Sequence, residues 1–381
     1  MRDFRLLTLA AALAACLTSA RPVDATPQFA RVYRVDCSYC HSLPPRLNEQ
    51  GLRFLADGYR LEGMPRMTTI PLAVWNTVDL EARYSADLVK GFPSRVELIS
   101  VGPMGRRAAY FIEWRALSQS IGGNRRLLDR SGRFEDLFIR SSVTDDGTLN
   151  FTVGQFRALS QVDVSQRLSV SEPLVFSSGL AGSRAASGRL TALRTFSASG
   201  RQPGVRAEYR VIPGESASDG WFAAATLPLT GELTIPFTDA ASFELEARPK
   251  GVFLEVFRRR RLTSAGAHSF IGDADRRFLT GVVTHSVGRF ALLGGVGAFH
   301  AGGIREARWS IGGEATVTSA LVGGVRVDHR TRQNRDPAVL LYGNGHLPFG
   351  PSAFRQAMRL QVEHRIQEAN HATAFALSHV F

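Results

Sequence analysis

The chain has 381 residues, enough for one large domain or two ordinary ones, and its formal net charge is +12. Nearly all the positive charge is arginine, since Lys90 and Lys250 are the only lysines, and the arginines are scattered along the chain. This distribution argues against nucleic acid as a partner. Three cysteines exclude a disulfide-stabilised scaffold, and the sequence holds no run of about 18 apolar residues that would form a spanning helix of the mature chain.

Residues 1–25 predict a signal peptide for export. A start with two arginines precedes the short apolar stretch 6–15, and small residues follow, with 23–25 as a cleavage site. The sequence Leu13-Ala14-Ala15-Cys16 also resembles a bacterial lipobox. If that site is used instead, Cys16 carries lipid and the mature chain starts there.

Residues 37–41 read Cys-Ser-Tyr-Cys-His, the C-x-x-C-H pattern of covalent haem c attachment. Cys37 and Cys40 are spaced to bond two vinyl groups of one haem, and His41 follows as the proximal iron ligand. A redox dithiol would need a βαβ context, which is absent from the surrounding sequence pattern. A zinc site would need further ligands, but the sequence has no other Cys or His between His41 and His268. The motif therefore predicts one haem c as cofactor.

The sixth iron ligand stays open at the level of sequence. Met64 and Met67 are the sulfur candidates that follow the motif, and a later histidine or an open position are the alternatives. The haem carboxylates need cationic partners, for which the local candidates are Arg31, Arg34, Arg46 and Arg53.

The haem-bearing segment, residues 26–67, is too short to bury a haem and a core of its own. Residues 48–61 predict one short helix, which covers one haem face at best. The remaining cover must come from the rest of the protein.

Residues 68–381 predict β-strands with one apolar and one polar face. Apolar and polar residues alternate clearly in 77–88, 205–211, 308–317 and 358–363. Turn signals separate many of these segments, such as Asp145-Asp146-Gly147.

Two all-β architectures fit this pattern, a soluble sandwich or barrel and an antiparallel transmembrane β-barrel. Charges of both signs on the polar face, strands of about 10–12 residues and the terminal Phe381 favour the membrane barrel, although His379 departs from the usual C-terminal pattern. Dividing the length predicts about 12–16 strands, and a barrel near 16 has room inside for the haem segment. The prediction is therefore a bacterial outer-membrane protein whose haem segment lies in the lumen or on the periplasmic side. Residues 158–203 fit strands poorly and are either a long loop, extracellular or disordered, or a second element in the lumen.

The chain resembles the fused outer-membrane cytochrome–porins of iron-oxidising bacteria. The resemblance rests on Phe29-Ala30-Arg31, on the motif 37–41, and on Pro45-x-Leu47-Asn48-x-x-Gly51, with Phe54, Gly58 and Tyr59 beyond. Residues 153–156 and 202–205 resemble barrel segments of that family. The resemblance implies that Cys37 and Cys40 attach the haem and that His41 is an iron ligand. It also implies single-electron transfer between an extracellular donor and periplasmic carriers.

Ferrous iron is one candidate donor, but a strongly positive chain does not attract a dication. The arginine run 258–261 fits lipid phosphates, haem carboxylates or a solvated strand end, and residues 273–275, Asp-Ala-Asp, fit a turn better than a metal contact. The sequence shows no P-loop, nucleophile elbow or metalloprotease helix, which favours an electron carrier. The alternatives are a passive porin with a structural or sensory haem, a peroxidase-like haem enzyme, and a soluble periplasmic protein.

Overall fold

The structure is a computed structural model. It describes these residues: 35–43, 46–56, 71–83, 95–105, 107–118, 120–122, 125–127, 132–157, 173–176, 201–211, 219–234, 242–249, 251–272, 276–301, 303–318, 320–331, 336–349, 356–368 and 370–380, with Phe29, Tyr33, Tyr59 and Leu168. Residues 1–25, with Cys16, lie outside this set, as do Met64, Met67 and residues 273–275.

The N-terminal segment contains four short elements. A 3-10 turn spans Cys37–Tyr39, the strands β1 and β2 span His41–Leu43 and Arg46–Leu47, and helix α1 spans Glu49–Ala56. Strands β1 and β2 pair with each other as a small antiparallel hairpin. No helix among the described residues is both long and apolar enough to cross a membrane.

The remaining strands follow in chain order. They are β3 (Leu72–Arg83), β4 (Arg95–Met104), β5 (Ala108–Ser118), β6 (Ser120–Gly122), β7 (Arg125–Leu127), β8 (Arg133–Ser142), β9 (Leu149–Arg157), β10 (Arg201–Val211), β11 (Gly220–Thr234), β12 (Ser242–Pro249), β13 (Gly251–Arg260), β14 (Thr263–Gly272), β15 (Arg277–Val287), β16 (Phe290–Ala301), β17 (Ile304–Thr318), β18 (Leu321–Arg330), β19 (Ala338–Phe349), β20 (Gln356–Gln367) and β21 (Asn370–Val380).

Strands β3 to β21, without the small β6–β7 hairpin, close into one antiparallel barrel. Each strand pairs with its neighbour, and β21 returns to β3 to complete the ring. Strands β12 and β13 both pair with β11 and together occupy one strand position, so the described residues form a barrel of 16 strands. This confirms the predicted all-β fold and the upper end of the predicted strand number.

The apolar face of the strands points outward and the polar face points into the lumen. In β13, Phe253, Glu255 and Phe257 are buried, whereas Leu254 and Val256 between them are exposed. The same alternation puts an apolar belt on the outer surface and most of the buried charges inside. A soluble barrel would have the opposite arrangement, so the membrane interpretation of the strand pattern is confirmed.

The lumen wall is lined with ion pairs that form along one strand or reach across strands. Arg206 Nη2 lies 2.7 Å from Glu255 Oε2, and Arg326 Nε lies 3.0 Å from Asp328 Oδ2. Charged groups buried in this way need partners, because an isolated buried charge is strongly destabilising. Asp328 is two residues from Arg326 on the same face of β18, and Arg206 of β10 reaches over β11 to Glu255 of β13.

The turns at the two ends of the barrel differ in length. The end that holds Leu72 and Val380, the chain ends of the barrel, has short turns such as the one between β8 and β9. There Thr148 N donates to Asp146 Oδ1 at 3.0 Å and Gly147 adopts a positive φ of 72°, as the predicted turn requires. The arginine run 258–261 lies at this end, with Arg258 over the outward-facing Trp221 ring at 5.2 Å.

We expect an outward arginine to destabilise the barrel according to its depth. Val296 lies in the middle of β16 and is 62% exposed, so Val296→Arg should lower the free energy of unfolding by about 2–4 kcal/mol. Val287 ends β15 and is 59% exposed, so Val287→Arg should lower it by about 0–1 kcal/mol. Equilibrium unfolding in phospholipid vesicles measures both, and equal losses would contradict a membrane-spanning barrel.

Candidate functional site

The C-x-x-C-H motif forms a tight turn that leads into β1. Cys37 to Tyr39 make the 3-10 turn, with Tyr39 N donating to Asp36 O at 3.0 Å, and His41 begins the strand. The Cys40 and His41 side chains are half-buried, and Cys40 is a free thiol. Burial raises the pKa of the Cys40 thiol to about 11, so the free side chain is a neutral thiol at pH 7.

Asn48 holds this turn in place with three hydrogen bonds. Its side-chain amide donates to Ser38 O at 3.0 Å and to Tyr39 O at 3.1 Å, and its backbone N donates to Cys40 O at 2.9 Å. Its Oδ1 also accepts from Gly51 N at 2.9 Å, which makes Asn48 the N-cap of α1. One side chain therefore fixes the motif turn and the start of the helix that follows.

Gly51 permits a close approach between α1 and the motif. A Cβ at this position would lie 2.0 Å from Cys40 O and 2.8 Å from a Leu47 methyl carbon. Because real Cβ contacts are never this short, only glycine fits here without a shift of the backbone. The Asn48-x-x-Gly51 pattern of the resemblance thus has a structural explanation.

An aromatic cluster joins the N-terminal segment to the barrel wall. Four aromatic rings of the segment pack together, with centroids 4.8–6.3 Å apart: Phe29, Tyr33, Phe54 and Tyr59. Tyr33 OH donates to Tyr59 O at 2.9 Å.

The barrel wall contributes the buried residues Val101 and Ala109 to this cluster. It also contributes the ring of Phe111, whose centroid is 6.1 Å from that of Tyr59. The segment therefore packs against the inner face of β4 and β5.

A second contact joins the same segment to a distant strand. Arg46 of β2 forms an ion pair with Glu314 of β17, and Glu314 Oε1 accepts a hydrogen bond from Tyr342 OH at 2.8 Å. The Tyr342 ring reaches Glu314 by passing over Gly324, where a Cβ would lie 2.4 Å from a ring atom. Because β17 is far from β4 and β5 around the ring, the N-terminal segment extends across the lumen.

The four arginines suggested for the haem carboxylates have different surroundings. Arg46 is paired with Glu314, and Arg53 on α1 is half-buried. Arg31 and Arg34 lie outside the described residues.

Part of the region 158–203 also lies in the lumen. Leu168 is buried against Val322 and Tyr342, and its carbonyl accepts from Gln361 Nε2 at 3.0 Å. Val175 N donates to Ser310 Oγ at 3.3 Å. Of the two alternatives for this region, the described residues fit a second element in the lumen, except that 201–203 begin β10.

Val175 and Phe176 reach the wall on the side of β11 to β15. They pack with Phe222, Phe257 and Val282 in one apolar cluster. The Phe176 ring also lies 6.0 Å from the ring of His268, which is almost completely buried on β14. The lumen is therefore filled from two directions, by the N-terminal segment and by this insert.

The structure places the motif residues together but leaves the sixth ligand untested, because Met64 and Met67 are not described. A histidine from later in the chain also stays a candidate for the sixth ligand. His268 and His346 are buried on the inner faces of β14 and β19. Glu314 and Tyr342 are the site residues that the sequence did not single out. Strand alternation put Glu314 on the polar face, but no sequence signal assigned Tyr342 to a face or linked either residue to Arg46.

Comparison with known proteins supports the fold. No family model matches the chain, and no curated protein sequence matches it. The structure of Salmonella typhi OmpF in complex with daunomycin is similar with a TM-score of 0.53 and 8% identity, over 81% of this chain and 97% of that one. An anion-selective porin from Comamonas acidovorans is similar with a TM-score of 0.47 and 12% identity, over 81% and 99%. At 8% identity the likeness to OmpF extends to the barrel fold alone.

We expect Gly51→Ala to loosen the motif turn, because the added Cβ would collide with the Cys40 carbonyl. Limited proteolysis of the protein in detergent, with mass spectrometry of the N-terminal fragments, should show faster cleavage between residues 36 and 56. The barrel should keep its heat-modifiable mobility on gels.

Gly281→Ala is the matched control, since a Cβ at Gly281 has nothing within 4 Å. This variant should be cleaved like the wild-type protein. Equal cleavage of both variants would show that the close approach of Gly51 does not hold the turn.

Proposed function

We propose that the chain is an electron-transfer protein of the bacterial outer membrane. In this proposal the N-terminal segment carries a haem c within or beside the lumen of a porin-like barrel and serves single-electron transfer between an extracellular donor and periplasmic carriers. The observation that carries the proposal is the attachment of the C-x-x-C-H segment to two separate parts of the lumen wall, at Val101 and Ala109 and at Glu314.

The residues of the motif fit a haem c. Cys40 is a free thiol that is half-buried rather than locked in a core, and His41 beside it is half-buried as well. Cys37 precedes Cys40 by one tight turn. In the proposal Cys37 and Cys40 would hold the macrocycle, His41 would bind its iron, and the haem would supply reversible one-electron chemistry.

The surrounding residues have positioning roles. Asn48 and Gly51 keep the motif turn in one conformation, which limits the freedom of His41. The aromatic cluster of Phe29, Tyr33 and Phe54 lends apolar cover to the segment. Burial and low local polarity are among the properties by which a protein adjusts the reduction potential of a haem.

The orientation of the barrel supports the choice of partners. Outer-membrane barrels have short periplasmic turns and longer extracellular loops, so the end with Leu72 and Val380 is the periplasmic one. Val101 and Ala109 flank the short turn between β4 and β5 at this end. The motif segment is thus closer to periplasmic carriers, and the outer belt contacts lipid.

The second candidate is a passive porin with a structural or sensory haem. Two observations favour the passive porin: the likeness of the barrel to OmpF and the ion pairs along the lumen wall. Both are properties of the barrel, and neither depends on electron transfer. The two candidates differ in whether solute passes through the lumen and whether the function needs His41.

A vesicle assay separates these candidates. Protein in liposomes that enclose a reduced dye should pass electrons to an impermeant external oxidant, and His41→Ala should abolish this flux because the iron loses its proximal ligand. The liposomes should retain an enclosed small sugar in both cases. Sugar efflux that His41→Ala leaves unchanged, without electron flux, would favour the passive porin.

The sixth ligand is tested by replacing Met64 and Met67 separately. If one of them binds the iron, its replacement by Ala should remove the methionine-to-iron charge-transfer band of the oxidised protein and lower the reduction potential. The other replacement is then the control and should leave the spectrum unchanged. A high-spin spectrum in the wild-type protein would indicate an open position and support the peroxidase-like alternative.

A further inference from the structure

Two histidines lie side by side on the outer surface of the barrel, near the turn between β20 and β21. His364 belongs to β20 and His371 to β21, and their ring centroids are 5.5 Å apart. Nδ1 of His371 lies 3.4 Å from Nε2 of His364. Neither residue belongs to the C-x-x-C-H motif or contributes to the lumen contacts described above.

Thr373 holds one of the two rings. The Oγ1 of Thr373 is 2.8 Å from Nδ1 of His364, and these two residues face each other in the strand register. When Nδ1 of His364 carries the proton, it donates to Thr373 Oγ1 and leaves Nε2 with a lone pair on the side of His371. A hydrogen bond to the second ring nitrogen is the usual support of a metal-binding histidine.

The distance between the two nitrogens matches a shared metal ion. Two imidazole nitrogens that bind one tetrahedral Zn²⁺ at about 2.0–2.1 Å are separated by about 3.4 Å. The observed 3.4 Å equals this separation. It is long for a hydrogen bond, since N–H···O bonds in proteins lie at about 2.7–3.2 Å.

The pair lies at the end of the barrel opposite to the chain ends. His371 follows the turn at Glu368 by three residues and is exposed, whereas Phe375 and Leu377 of the apolar belt lie further along the same face of β21. By the turn-length rule this end is extracellular, so the site is open to ions and water outside the cell.

We propose that His364 and His371 form a binding site for a divalent transition metal ion, with Zn²⁺ as the fitting ion. Imidazole is a ligand that suits zinc, copper and nickel. Among the described residues no third His, Cys, Asp or Glu joins the pair, and water completes the coordination shell. The site stands independently of the function proposed above, because it shares no residue with the haem motif.

The test is Zn²⁺ binding to the full chain in detergent, by competition with a chromophoric chelator. His364→Gln and His371→Gln should each weaken binding at this site by about tenfold or more, since each removes one of two protein ligands. Thr373→Val should weaken it less, because the ring remains but loses its support. Heat-modifiable gel mobility verifies that each variant has folded.

His285→Gln is the matched control. His285 Nδ1 lies 2.7 Å from Thr263 Oγ1, which repeats the His–Thr pair of His364 and Thr373 on another part of the barrel. Among the described residues no second histidine ring lies against it, and its replacement should leave Zn²⁺ binding unchanged.

A chemical footprint gives a second readout. Zn²⁺ should protect His364 and His371 together from carbethoxylation by diethylpyrocarbonate, as measured by mass spectrometry, and should leave His285 reactive. Wild-type affinity in both His→Gln variants, or modification of both rings at the same rate with and without Zn²⁺, would overturn the proposal.

Discussion

Closure of the barrel is the constraint on which the rest of the structure depends. Lipid offers no hydrogen bonds, so each strand must satisfy its backbone groups on both neighbours, and β21 must return to β3. A strand in this ring has one face in lipid and one in the lumen, which forces the alternation of exposed Leu254 and Val256 with buried Glu255. Sixteen strands also enclose a lumen that wall side chains alone do not fill. The ring thus creates the space that the N-terminal segment and the insert occupy.

The two lumenal elements are connected through one point on the wall. Arg46 of the N-terminal segment pairs with Glu314, Glu314 accepts from Tyr342, and Tyr342 packs on Leu168 of the insert. Gly324 makes this possible, because any larger residue would block the Tyr342 ring. A shift of the insert would therefore be felt by Tyr342 and by the ion pair that holds the motif hairpin. The contacts that position the motif are spread over several strands, although the motif itself spans only five residues.

Charge in the lumen is mostly paired across short distances. Arg206 of β10 reaches over β11 to Glu255 of β13, and Arg326 pairs with Asp328 on one face of β18, so the register of the sheet sets both partners. In the part of the chain that the structure describes, the four buried arginines, Arg115, Arg206, Arg308 and Arg326, each pair with a carboxylate in this way. A lumen wall with paired charges suits a solute channel, and it also suits a support that insulates a redox group. What fills the lumen distinguishes these two roles.

Much of this architecture was readable from the sequence, because its signals are local. A period of two identifies strands and assigns each residue to one of two faces, and the turn at Asp145 to Gly147 was predicted from its residues alone. The short helix after the motif was also predicted, and the spacing of Cys37, Cys40 and His41 is the signal that predicts a haem.

The sequence could not choose between an extracellular and a lumenal place for 158–203, because the residues of this region show neither a strand period nor a helix period. It also could not pair Arg46 with Glu314, or His364 with His371, since such pairs depend on where the closed ring brings distant strands. Local periodicity and spacing thus determined the strands, their faces and the motif, whereas the closure of the ring decided which residues meet across the lumen and along its rim.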